Sequence, residues 1–265
     1  MLYAALTFWM LVIVFTAWGV HALWSRLVKP RAVNTVLLPG TLIAQLGHVL
    51  GLLITGNAVQ NTALMRDDDT GEPQTETPEK PRIPVIGPVL IGLLPLLACA
   101  AALYAAARLW GQTVIDEFGR GGVLLSQSLP TRLSDVWQLL RDSVTLVENT
   151  VDAVLRSDLP HWPTALFLYL AVCLTVRMTP FEGNRRGALG AIALSGVLIW
   201  IVGALTGRGD AALQSTWPLL SFAVGVLLFL LLFSLLVTGV VELIRIFARG
   251  ESQAAASGRP VRGGR

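Results

Sequence analysis

The residues Leu38-Pro39-Gly40-Thr41-Leu42-Ile43-Ala44-Gln45-Leu46-Gly47-His48 hold the spacing in this chain most suggestive of chemistry. A zinc-binding helix of the form His-Glu-x-x-His works because residues four apart share one face. Two imidazoles hold the metal, and the glutamate beside the first takes a proton from metal-bound water. Here the three positions carry Ala44, Gln45 and His48. A methyl group does not ligate zinc, and a neutral amide is no base. One imidazole remains where a catalytic zinc needs three protein ligands. The spacing suggests metal catalysis and the residue types argue against it.

These positions must be carried by membrane helices. Hydrophobic residues make up 54% of the chain and charged residues 14%, against about a quarter charged in soluble domains. Six windows are free of Asp, Glu, Lys and Arg: Met1 to Ser25, Ala32 to Met65, Ile83 to Ala107, Leu159 to Val176, Gly187 to Gly207, and Ala211 to Val241. Each is at or near the roughly 20 residues that cross about 30 Å of hydrocarbon as a helix. The alternation of membrane strands is absent. The expected fold is all-α, a polytopic integral membrane protein of five or six membrane segments plus one amphipathic interfacial helix. The first window lacks a basic n-region and a small-x-small cleavage site, and Arg26, Lys29 and Arg31 follow it. It reads as a retained helix whose C-terminal end is cytoplasmic.

Residues 1–249 form the expected membrane domain, with two excursions. Residues 57–82 contain Asp67-Asp68-Asp69 and a run rich in Pro, Glu and Thr, a composition too polar to offset ordering entropy and therefore read as a disordered acidic loop. The aspartates lack the Gly turn and distal Glu of a calcium loop. Residues 111–162 form an extramembrane excursion. Within it Leu133, Val136, Leu140, Val144, Val147, Val151 and Val154 recur at helical spacing opposite Asp135, Asp142, Asn149, Asp152 and Arg156. This predicts an amphipathic helix from Ser134 to Ser157, lying in the interface or on the extramembrane ends of other helices. Gly119, Gly121 and Gly122 predict a loop before it, and residues 250–265 a disordered basic tail.

Three basic groups compete for one side of the membrane: Arg26, Lys29 and Arg31; Arg177, Arg185 and Arg186; Arg245 and Arg249. Six simple crossings do not place all of them in the cytoplasm. One window between Ala32 and Ala107 is therefore expected to enter without crossing cleanly. The second window is a candidate through Pro39, Gly40, Gln45, Gly47 and His48, and the third through Pro84, Gly87, Pro88, Gly92 and Pro95.

The run from Pro39 to Leu50 resembles the Pro-Gly-Thr-x-x-His-Glu-x-x-His motif of the site-2-protease family of intramembrane zinc metalloproteases. Ile86 to Leu97 is similar to an apolar Gly/Pro segment of some bacterial relatives, and Met178 to Gly187 to a later motif that supplies a carboxylate ligand. The resemblance implies a site-2-protease-like core in a bacterial cytoplasmic membrane. It also implies that the two histidines fall on Ala44 and His48, the glutamate on Gln45 and the aspartate on Asn184. All but His48 are replaced, so it implies the fold without the activity: no cofactor, no catalytic residue, and a non-catalytic role in binding or regulating a membrane partner.

Two other readings stay open. Gln45 and His48, with Gly40, Gly47, Gly51 and Gly56, can serve ordinary helix packing in an unrelated scaffold or transport accessory subunit. Alternatively, His21, His48 and Glu182 could hold zinc as a rearranged ligand set. Cys99 and Cys173 fall in different windows and read as packing residues. No nucleophile elbow, phosphate loop or dinucleotide fingerprint is present, and no basic-aromatic surface suits nucleic acid. The expected partners are the lipid bilayer and another membrane protein.

Overall fold

The computed structural model describes residues 2–57, 60–63, 74–76, 86–178, 201 and 209–257. Among these are eight helices: α1 (Leu2–Leu27), α2 (Pro30–Val36), α3 (Leu38–Ile54), α4 (Ile86–Trp110), α5 (Gln112–Arg120), α6 (Leu133–Arg156), α7 (Trp162–Val176) and α8 (Gly209–Ser257). Two short strands, β1 (Gln60–Ala63) and β2 (Gln74–Glu76), pair antiparallel within the acidic excursion. Asp67 to Asp69 lie outside the described residues.

Among the described residues, three helices are long and apolar enough to cross a membrane: Leu2–Leu27, Gly87–Trp110 and Gly209–Arg245. There are up to four if α2 and α3, bent by 79° at their junction, count as one broken span. α7 is apolar but shorter, and the window from 187 to 207 lies outside the described residues apart from Ile201. The structure thus supports a helical membrane protein with three to four candidate spans.

α1 and α8 lie side by side and run in the same direction. Tyr3 Oη donates to Asp210 near their starts at 2.7 Å, and Trp24 Nε1 donates to Ser234 Oγ further along at 2.8 Å. Between these, Gly19 sits against the Leu231 side chain. The segment following α5 is threaded against both helices. Trp9 Nε1 donates to the Ser126 carbonyl, Trp217 Nε1 to the Leu125 carbonyl, and the Leu125 N–H to Ser221 Oγ. Each bond satisfies backbone that burial would otherwise leave unpaired. An aromatic cluster of Phe118, Phe167 and Phe222 ties α5, α7 and α8 together, with ring centroids 5.6 and 5.8 Å apart.

α5 was not anticipated. Gly119 was expected in a loop, but it lies in the last turn of α5, which buries Val114 and Phe118 completely. α6 begins and ends within one residue of expectation, yet it packs a different face. The buried residues are Leu146, Thr150 and Ala153, whereas Leu133, Val136, Leu140 and Val144 of the expected stripe are exposed. Close approach decides this. Gly225 of α8 lies under Thr150, where a Cβ would come within 2.1 Å of its hydroxyl, and small residues let helix backbones meet. α8 continues to Ser257, into the segment expected as a tail.

Candidate functional site

α3 starts at Leu38 with Pro39 in its first turn, where a missing N–H costs nothing. Its face of Gly40, Ala44, Gly47 and Gly51 is small at every position, and it is the face that meets other helices. A Cβ on Gly47 would lie 2.6 Å from the Leu94 carbonyl oxygen and 2.8 Å from Pro95 Cα, and one on Gly51 would lie 3.0 Å from Ile91 Cα. α3 and α4 are therefore in backbone contact and antiparallel. At the other end, a Cβ on Gly40 would strike the Cys173 carbonyl of α7 at 2.2 Å.

Ala44, Gln45 and His48 are all buried, at 1%, 3% and 4% exposure. Asn184 and Glu182 lie outside the described residues, so neither proposed ligand set is complete among the described ones. His21 sits half-buried on α1, which packs chiefly on α8, α7 and α2. Among the described residues no three of His, Cys, Asp and Glu are grouped so as to hold a metal ion.

His48 has a specific partner. Its ring lies beside the backbone of Ile91 in α4. Ile91 is four residues before Pro95, and proline lacks the N–H that would close that turn. The imidazole thus stands next to a carbonyl that Pro95 leaves without its helical donor. In an apolar interior a carbonyl without a donor is costly, which gives the histidine a structural use there.

A second polar constellation surrounds the bend between α2 and α3. Tyr169 Oη donates to the Val36 carbonyl at 2.8 Å, and Cys173 Sγ donates to the same oxygen at 3.5 Å. Arg177 donates to Asn34 Oδ1, and both residues are buried. Neither cysteine is in a disulfide. These partners were not read from the sequence. The one available signal was the repeat of Tyr169, Cys173 and Arg177 at four-residue intervals in an otherwise apolar stretch.

Outside the bundle core, the start of α6 is anchored by Asp135. Its Oδ2 accepts the backbone N–H groups of Thr131 at 3.0 Å and Arg132 at 2.9 Å, which hold the carboxyl below its usual range. A cavity of about 10 Å³ between α1 and α6, lined in part by Trp9, Ser126, Asp142 and Ser143, has room for about one water. No family model matches the chain, and it matches no curated protein and no solved structure.

Proposed function

We propose that this chain is a non-catalytic multi-pass membrane protein that holds or regulates another membrane protein, and that its α3 face is a degenerate relative of the site-2-protease active-site helix. The observation that carries this reading is the burial of Ala44, Gln45 and His48 on α3, whose Gly47 and Gly51 are pressed against α4. A methyl and an amide occupy the ligand and base positions, and the surviving imidazole is engaged with Ile91. In this reading the bilayer is a bacterial cytoplasmic membrane, the membrane segments number five or six, and α2–α3 is a re-entrant element. α6 is an interfacial helix whose exposed Leu133, Trp137, Leu140 and Val144 contact the headgroup and acyl boundary, with its acidic residues in water.

A second reading is favoured by the His48–Ile91–Pro95 arrangement, which gives the histidine a packing role without any protease history. There the chain is an unrelated membrane scaffold or transport accessory subunit. Metal analysis of the purified protein separates both from an enzyme with rearranged ligands. Well under one equivalent of zinc is expected. Stoichiometric zinc that is lost in His48→Ala would overturn the non-catalytic reading.

A further inference from the structure

We propose that Tyr169, Cys173 and Arg177 form a latch that holds the α2–α3 bend closed, and that α2 is a hinged element that straightens onto α3 when the latch is released. The bend turns on a single residue. Leu37 has φ −85° and ψ 9°, about 50° in ψ from the α-helical value. Helical hydrogen bonds continue on both sides of it, from the Leu37 N–H to the Val33 carbonyl at 3.0 Å and from the Thr41 N–H to the Leu37 carbonyl at 2.9 Å. One torsion therefore separates the bent pair from a continuous helix.

Few helical bonds are at stake between the two shapes, although straightening moves Pro39 into a helix interior, where its ring presses on the Thr35 carbonyl. Pro39 has no N–H, so the Thr35 carbonyl lacks its helical donor whether the pair is bent or straight. In a straight helix the Val36 carbonyl would accept from the Gly40 N–H. In the bent form it accepts from Tyr169 and Cys173 instead. Arg177 adds a charge-assisted bond to Asn34. The three α7 side chains stand at successive four-residue steps, which places them in a row along one face, and that row meets α2 from Asn34 to Val36.

The outer end of the row is reachable, since Tyr169 and Val36 are both exposed while Arg177 and Asn34 are buried. Gly40, without a side chain, lets the start of α3 rest on the Cys173 carbonyl. A continuous helix over Pro30–Ile54 would be about 37 Å long, enough to cross about 30 Å of hydrocarbon. The latch thus decides between a bent element and a spanning one.

Spin labels on cysteines at the exposed positions Ala32 and Leu50, in full-length Cys99→Ala protein in lipid nanodiscs, report the angle directly. With a 79° bend the two axis positions are about 22 Å apart, and in a straight helix about 27 Å. A single short distance is expected with the latch intact. In Tyr169→Phe/Arg177→Gln a population about 5 Å longer is expected. An unchanged distribution in that variant, with helicity retained by circular dichroism, overturns the proposal. Should the double variant lose its helicity, Tyr169→Phe alone decides. It removes one exposed hydroxyl, and a distribution identical to that of the intact latch overturns the proposal, whereas broadening toward the longer distance supports it.

Discussion

If His48 replaces the donor that Pro95 lacks, their effects on stability must be coupled. In His48→Ala the Ile91 carbonyl loses its partner inside the bundle. An unsatisfied buried acceptor costs about 1–3 kcal/mol, and interhelical hydrogen bonds measured in bilayers average about 0.6 kcal/mol. Truncating the imidazole also removes packing, so a total loss of about 2 kcal/mol is expected, roughly half of it from the carbonyl. In Pro95→Ala the new N–H closes the turn onto Ile91 by itself. His48→Ala in that background should then cost about 1 kcal/mol less. A double-mutant cycle on unfolding in mixed micelles reads the coupling, and Pro95→Ala keeps a Cβ, so the α3–α4 contact at Gly47 is preserved. Additivity within about 0.3 kcal/mol would refute the mending role and return His48 to a generic polar group.

Gly47→Ala places a methyl against the backbone of Leu94 and Pro95 and should destabilise by about 1–3 kcal/mol, whereas Gly239→Ala, with nothing within 4 Å, should not, a contrast that thermal unfolding checks. A cysteine at Leu146, buried against α8, should react with a water-soluble maleimide at least tenfold more slowly than one at the exposed Val144, and equal rates would mean that α6 is not docked as described. The carboxyl of Asp135 is held low by the backbone N–H groups it caps. Its contribution is full above the ordinary aspartate value near pH 4 and is lost as pH falls through the depressed one. Asp135→Asn should therefore fray the start of α6 at neutral pH and flatten that acid dependence, as followed by amide exchange at Val136 and Trp137.

Charge-free length made the membrane helices legible, because hydrocarbon demands it whatever the packing. Pro39, Gly40 and polar groups made the second window one of two candidates for an irregular entry, the third being the other, and the structure bends the second by 79° at Leu37. Helix α6 was legible as a helix, but its buried face was not. Its valines and leucines are the most apolar residues, whereas the contact with α8 is won by Thr150 and Ala153, which let the backbones approach. Apolarity marks what avoids water; in a bundle it does not mark what touches protein. The role of His48 was out of reach for another reason. Pro95 is visible in the sequence, but that its orphaned carbonyl faces α3 depends on an interhelical register that no local pattern encodes. α5 escaped because its nine residues end in Gly119-Arg120 and run straight into Gly121-Gly122, which resembles a turn more than a helix.

The shared direction of α1 and α8 constrains the whole path of the chain by parity. If both cross the bilayer, the chain between Leu27 and Gly209 must bring the backbone home, so an odd number of crossings lies between them. Among the described residues between them, α4, α7 and the bent α2–α3 pair are the apolar elements available for those crossings. Arg26, at the end of α1, and Arg245, at the end of the apolar part of α8, then emerge on one face. Arg177 joins them, because its bond to Asn34 ties the end of α7 to the residues just beyond the exit of α1. One bent helix and one parallel pair would thus set Arg26, Arg177 and Arg245 on a common side.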